Sequence, residues 1–193
     1  MRFIQIPRKF LALKTGTKFI DVLVYAAIDF QKDSTTHKSR IGLRTIADKY
    51  NIALSKVEDA VKRLKTNGFL DYIQLKLEVN DYVFNEYTLP KSKDFLMLNP
   101  DLLVQELKPK EKGVLIYLQL IAEVDLNDIA ETTIEGIANR MGITRQTTSK
   151  YLKQLEDKGH ITKGRHYYKC HYLAKEPNEK IKEEQPQITD IIL

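Results

Sequence analysis

Apolar residues recur at helical spacing in two sets of three segments, and each set is followed by two stretches in which apolar and polar residues alternate. The helical spacing predicts three helices per set, with a short extended piece between the first and second. The alternation predicts a pair of strands after each third helix. The predicted helices cover about 17–30, 43–50 and 54–67 in the first set and 109–122, 133–141 and 145–158 in the second. The strand pairs are "FLDYIQLKL" with "YVFNEYTL" around "EVND", and "HITK" with "HYYKCHYL" around Gly164.

The two sets match each other residue by residue. An offset of 92 lays "FIDVLVY" (19–25) over "EKGVLIY" (111–117), with identical Val, Leu and Tyr positions. An offset of 91 then aligns the next helices, which places a one-residue deletion in the loop between. An ordered set of matches that ends in the same glycine indicates one module used twice. The matched positions at this second offset are Ile46, Ala47, Ile52, Lys62, Leu64 and Gly68 with Ile137, Ala138, Ile143, Lys153, Leu155 and Gly159.

The ends of the third helices carry recognisable signals. Ser55 and Glu58 have the spacing of a capping box, and Thr144 is placed to cap a helix over 145–158. Gly68 and Gly159 suit the left-handed position that follows a helix. Three helices and a hairpin predict a winged helix-turn-helix. The predicted fold is therefore mostly α with small β wings, in two tandem domains over 1–90 and 91–173, followed by a linker and tail over 174–193.

The helix over 145–158 has one face for a core and one for an anionic partner. Thr148, Leu152 and Leu155 point inward at helical spacing. The major groove of DNA accepts one helix, and Arg, Gln and Thr can contact guanine, adenine and the thymine methyl there, while Lys holds phosphates. A solvated helix face is the alternative. The residues predicted to face DNA are Thr144, Arg145, Gln146, Thr147, Ser149, Lys150 and Lys153.

Charge is segregated within the second set. Residues 140–173 hold eight Lys or Arg against two acids, whereas residues 91–139 hold five against nine. Lys163, Arg165 and His166 flank Gly164, where a hairpin tip can reach a minor groove or the phosphate backbone. An ordinary solvated turn is the alternative for these three residues. The distribution favours one basic face on the second domain.

The corresponding face of the first domain is mixed. Ser55 and Lys56 share it with Glu58 and Asp59, and carboxylates near phosphates oppose binding. Nine bases nevertheless outnumber four acids between 38 and 77. We expect phosphate contacts there, with a dimer or intramodule contact as the alternative. The predicted DNA-facing residues of this domain are Arg44, Ser55, Lys56 and Lys62.

The stretch "ITRQTTSKYLKQLEDKGHI" resembles the recognition helix of GntR-type and MarR-type bacterial regulators. It has a small polar cap, an Arg, a Thr-rich first turn, an apolar spine and a closing "L-x-x-x-G". "FIQIPRKFL" and "FLMLNPDLL", which precede the two first helices, resemble more weakly the lead-in of plasmid and phage replication initiators of Gram-positive type. These resemblances imply double-stranded DNA as the partner.

Composition changes this picture little. The net charge of +5 and pI near 9.1 favour an anionic partner. A single cysteine, Cys170, cannot form an internal disulfide, and the apolar runs are too short to span a bilayer, so a cytoplasmic protein without membrane contact is expected. We expect no catalysis and no cofactor. We also expect no metal site, because the spacing of His160, His166, Cys170 and His171 matches no zinc pattern.

The tail over 174–193 is charged and contains proline, but it ends in the apolar hexamer "ITDIIL". We expect this hexamer to bind a groove on the chain's own body, a second copy of the chain or another protein. The sequence as a whole predicts a DNA-binding transcriptional regulator of a bacterial or mobile element. A replication initiator or its accessory factor, and a winged-helix scaffold for protein interactions, are the alternatives.

Overall fold

The computed structural model of the chain describes residues 3–12, 17–76, 83–91, 94–124 and 129–171. The predicted turn "EVND" (78–81) and the predicted tail over 174–193 lie outside the described residues. Within the described part the helices are α1 (Phe19–Phe30), α2 (Leu43–Tyr50), α3 (Leu54–Thr66), α4 (Asp101–Val104), α5 (Pro109–Val124), α6 (Ile134–Met141) and α7 (Arg145–Asp157). The strands are β1 (Ile4–Pro7), β2 (Lys38–Ile41), β3 (Asp71–Lys76), β4 (Val83–Thr88), β5 (Phe95–Leu98), β6 (Ile129–Glu131), β7 (Ile161–Lys163) and β8 (Tyr167–Cys170).

The six predicted helices are all present, with ends that move by no more than two residues. Helical residues make up 51% of the described chain, and the strands form several small sheets, so the architecture is mixed α/β around a helix-turn-helix. Among the described residues, no helix combines the length and the apolar character that crossing a bilayer requires.

The strands pair in three small antiparallel sheets. Strands β2, β4 and β3 form one sheet in that order, and β6, β8 and β7 form another. The third sheet pairs β1 with β5, with Ile4 opposite Leu98 and Ile6 opposite Leu96. These four side chains are buried. The segments before the two first helices are therefore strands that bind each other, which the sequence did not predict.

Helices α1 and α5 lie at the centre of the molecule. Both are apolar on nearly every side, as a helix must be to be buried all round. They pack against each other, and α1 also packs against α3 while α5 packs against α7. The buried side chains form a single cluster that runs from Ile4 to Cys170. The two halves of the chain thus share one continuous core.

One glycine permits the close packing of these two helices. A Cβ at Gly113 of α5 would lie 2.4 Å from the backbone oxygen of Phe19, which is the first residue of α1. Non-bonded heavy atoms do not approach this closely, and the atom that would have to move belongs to the backbone. The position therefore accepts only a hydrogen in place of a side chain.

Helices α3 and α7 end in the same way. Gly68 (φ 67°) and Gly159 (φ 72°) adopt the left-handed conformation. The N–H groups of Phe69 and His160 donate to the carbonyls of Leu64 and Leu155, which is the Schellman arrangement predicted from the two glycines.

The helix starts differ from each other. Thr144 caps α7 as predicted, with its Oγ1 accepting from the N–H of Thr147 at 3.2 Å. The predicted capping box at Ser55 is wrong, because α3 begins at Leu54 with Ala53 as its N-cap and no side-chain cap. Leu54 packs against the core, and this packing sets the start of the helix one residue before Ser55.

His160 is buried at the position that Phe69 occupies after α3. No described group lies at hydrogen-bond distance from its Nδ1. Burial lowers the pKa of His160, the charge of Lys158 lowers it further, and Glu111 acts in the opposite direction. The neutral ring is therefore the form that the fold accommodates.

We expect the free energy of unfolding to fall as the pH drops. In the unfolded chain His160 binds a proton as the pH falls below about 6.5, whereas in the folded chain it does so only at a lower pH. The stability that the neutral ring contributes above pH 6.5 is therefore lost as the pH falls from about 6.5 through the lower pKa of the folded state. His160→Phe should flatten this part of the profile. Denaturant unfolding at a series of pH values measures it, with the exposed His166→Gln as the control. Equal profiles for wild type and His160→Phe would contradict this assignment.

Candidate nucleic-acid interface

A three-residue turn joins α6 to α7. Gly142 follows α6 with φ 59°, and the N–H of Ile143 donates to the carbonyl of Ala138. Met141 and Ile137 of α6 are buried, and so are the inward residues of α7, so the two helices are fixed against a common core. A turn of this length that contains glycine is typical of a helix-turn-helix.

The first turn of α7 is tied down by threonine hydroxyls. Besides accepting from the N–H of Thr147, Thr144 Oγ1 lies 2.9 Å from Thr147 Oγ1. The buried Thr148 donates from its Oγ1 to the carbonyl of Thr144 at 3.2 Å. These bonds satisfy groups that a helix start leaves free, and they hold the residues around them in one orientation.

The two faces of α7 divide as the spacing predicts. Thr148, Leu152 and Leu155 are buried. The residues predicted to face DNA lie on the other side, where Thr147 is half-buried and the rest are exposed. The exposed ones are Thr144, Arg145, Gln146, Ser149, Lys150 and Lys153.

Arg145 lies beside a carboxylate. Its Nε is 2.9 Å from Oε1 of Glu135, in the first turn of α6. Both side chains are largely exposed, at 73% and 54%. The ion pair bridges the starts of the two helices across the turn. A carboxylate at Nε still leaves N–H donors on both terminal nitrogens of the guanidinium.

The hairpin of β7 and β8 forms the wing. Lys163 pairs with Tyr168, and the N–H of Gly164 donates to the carbonyl of Tyr167 at 2.9 Å. The ring of Tyr167 lies against Gly164, where a Cβ would be 2.3 Å from the ring. Lys163, Arg165 and His166 are all exposed at the tip, together with Tyr167.

Four cations of this surface are without a counter-charge in the described part of the chain. They are Lys150 and Lys153 on α7, and Lys163 and Arg165 on the wing. Lys158 differs, because its charge is already paired with the buried carboxylate of Glu111. These four cations lie on α7, the second helix of the helix-turn-helix, and at the tip of the hairpin that follows it.

In the first half of the chain, several Lys and Arg side chains are neutralised by carboxylates. Lys38 and Arg40 bind Glu86, each at 2.7 Å, while Lys65 binds Asp71. Arg63 binds Asp21, a fully buried carboxylate, through two nitrogens. These bases are engaged within the fold.

The predicted residues of the first half remain at the surface. Arg44, Ser55, Lys56 and Lys62 are exposed, and the structure describes no ion pair for the three bases among them. An open groove of about 480 Å³ lies between α2, α3 and the β3–β4 pair, and both Arg44 and Glu58 line it. This face is therefore less basic than that of α7, as the sequence suggests.

Sequence patterns did not identify two residues, Glu135 and Tyr167, as part of the candidate interface. Glu135 carried no signal, because its ion pair with Arg145 depends on how α6 and α7 pack. Tyr167 was assigned only to a strand, although the alternation along β8 places it opposite the buried Tyr168 and therefore outward.

The described residues hold no group of three His, Cys, Asp or Glu side chains close enough to bind a metal. His171 contacts Thr162 instead, with 3.0 Å between Nε2 and Oγ1. Cys170 and His160 are buried in the core.

A capped recognition helix after a three-residue turn, with a basic hairpin behind it, defines the helix-turn-helix class. Residues 105–161 match a family described as a helix-turn-helix domain, a span that runs from the end of α4 through α7 to the first residue of β7. No match was found among curated proteins. The domain supports DNA as the partner.

Proposed function

We propose that the chain is a sequence-specific double-stranded DNA-binding protein that regulates transcription in a bacterium or a mobile genetic element. The observation that carries the proposal is the exposed face of α7, which holds Arg145, Gln146 and Ser149 beside Lys150 and Lys153, two lysines with no ion pair among the described residues. In the proposed complex α7 enters the major groove by its first turns, and the wing contacts the adjacent backbone through Lys163 and Arg165, with His166 beside them.

We further propose that the chain consists of two copies of one winged module, over 1–90 and 91–173. The element order supports this proposal, because strand, first helix, strand, two helices and hairpin occur twice. The pairing of β1 with β5 supports it as well. The offset of 92 converts Ile4 to Leu96 and Ile6 to Leu98, so the pairs Ile4–Leu98 and Ile6–Leu96 exchange under a two-fold relation.

In this proposal the first copy contacts phosphates through Arg44, Lys56 and Lys62, with Ser55 beside them, and reads few bases or none. Four of the bases between 38 and 77 are seen to bind carboxylates in the described part of the chain, which limits the face that the first copy can offer to DNA. The tail that ends in "ITDIIL" is proposed to link two copies of the chain or to bind a partner protein.

Replication initiation is the second candidate function. The lead-in segments "FIQIPRKFL" and "FLMLNPDLL" favour it, since they resemble the lead-in of plasmid and phage replication initiators, and the proposed duplication of the module favours it as well. A footprint on the native locus separates the candidates: repeated sites at an origin indicate initiation, and one operator over a promoter indicates regulation. A chain with no salt-sensitive duplex binding would leave the scaffold role.

Replacement of Arg145 tests base reading. Arg145→Ala should lose about 1–3 kcal/mol of binding free energy at the specific site and relax the preference for one base, because a bidentate guanine contact is lost. Lys150→Ala should weaken binding to all sequences alike, as the loss of a phosphate contact does. Equilibrium binding to a selected duplex and to a shuffled duplex at fixed salt measures both. An equal loss on both duplexes for Arg145→Ala would contradict its base-reading role.

A further inference from the structure

The Glu135–Arg145 ion pair places a negative charge on the surface proposed to meet a polyanion. Glu135 is half exposed and lies in the first turn of α6, ten residues before the first residue of α7. An acid in the first turn of a helix stabilises that helix through its dipole, so a purely structural role is the simplest account. The contact with Nε of Arg145, the first residue of α7, points to a second role.

We propose that Glu135 is a specificity-determining residue, which positions Arg145 for a base edge and opposes its use as a phosphate clamp. This inference rests on the DNA-binding function proposed above. It predicts that the carboxylate weakens binding to DNA in general and strengthens discrimination between sequences.

The geometry separates the two uses of Arg145. With Nε held by Glu135, the terminal nitrogens can still donate two hydrogen bonds to one acceptor pair, as guanine O6 and N7 require. A phosphate contact by Arg145 would bring a second negative group beside Glu135, or would require the ion pair to break. The carboxylate therefore opposes the phosphate contact more than the base contact.

Helix caps fix the backbone on both sides of the Glu135–Arg145 ion pair. Thr133 caps α6, with its Oγ1 accepting from the N–H of Gly136 at 3.1 Å, and Thr144 caps α7. The start of each helix is thus held by a hydrogen bond to a threonine side chain. The ion pair connects two ordered backbones, which reduces the freedom that a lone exposed arginine would have.

The test uses the full chain with Glu135→Gln, Arg145→Ala and the double variant. Glu156→Gln is the matched control, because Glu156 is an exposed acid on α7 about 16 Å along the helix from Arg145. Selection from a randomised duplex library defines the preferred sequence of the wild type. Equilibrium binding of each variant to that duplex and to a shuffled one then gives a discrimination ratio, and melting curves verify the fold.

Glu135→Gln should bind the shuffled duplex more tightly and lower the discrimination ratio about two- to fivefold, the range expected of one exposed ion pair. In the Arg145→Ala background the same change should leave the ratio unaltered, because there is no arginine left to position. Glu156→Gln should leave the ratio at the wild-type value.

An unchanged ratio for Glu135→Gln, or an equal fall of the ratio in the Arg145→Ala background, would overturn the inference while duplex binding persists. If the wild type binds no duplex at all, the proposed function fails, and this inference fails with it.

Discussion

Gly113→Ala should destabilise the protein by about 2–3 kcal/mol, the upper part of the range for overpacking a core. The added Cβ would lie 2.4 Å from the Phe19 backbone oxygen and 2.8 Å from its carbonyl carbon. Neither atom can move unless α1 and α5 separate, and these helices join the two halves of the core. Alanine is the better helix former by about 1 kcal/mol, so a net loss would show that the contact outweighs helix propensity.

Gly136→Ala is the matched control for this prediction. Gly136 is also a helical glycine, but it is half-buried, and the nearest atom to its added Cβ is a side-chain oxygen of Thr132 at 3.1 Å rather than a backbone atom. This variant should be as stable as the wild type or more stable. Thermal melting compares the three proteins, and a loss of about 5–10 °C is expected for Gly113→Ala alone. Equal melting temperatures for the two variants would show that α1 and α5 do not approach as closely as described.

Local patterns were sufficient to predict six of the described α-helices and several of their ends, although not the short helix α4. The apolar spacing located α1, α2, α3, α5, α6 and α7, because each helix buries a face against the core. Gly68 and Gly159 predicted the two Schellman ends, since only a residue that tolerates positive φ fits there. Thr144 was identified as a cap for a similar local reason.

Features that depend on distant segments could not be predicted in this way. The pairing of β1 with β5 joins residues about ninety positions apart, and neither four-residue segment shows its partner in its own pattern. The close approach at Gly113 likewise depends on a backbone atom of α1. The capping box at Ser55 failed because the burial of Leu54 against the core outweighed a local hydrogen-bond pattern.

The same distinction between local patterns and contacts of distant segments applies to the candidate interface. The outward face of α7 could be predicted from one helix, and the wing cations from one hairpin. The sequence could not show which bases are already bound to carboxylates, because ion pairs such as Arg63 with Asp21 form between segments far apart in the chain. The sequence contains nine bases between 38 and 77. In the described part of the fold, four of these nine are bound to carboxylates.

The second large effect is the loss of duplex affinity with salt. If Lys150, Lys153, Lys163 and Arg165 each neutralise one phosphate, these four side chains should contribute about −3.6 to the slope of log K against log salt, in addition to any contribution from the first copy. Between 50 and 200 mM salt this amounts to a loss of about two orders of magnitude. The four side chains have no counter-charge among the described residues, so their full charge is available to DNA.

This salt titration, made with the full chain and with a variant in which the four bases are replaced by Gln, tests the DNA-binding role of α7 and the hairpin. The wild-type slope should be steeper than that of the variant by about 3–4 units, with the unfolding transitions of both proteins unchanged because the four side chains are exposed. Equal slopes, or no duplex binding by the wild type at low salt, would contradict the assignment of α7 and the wing as a DNA-binding surface.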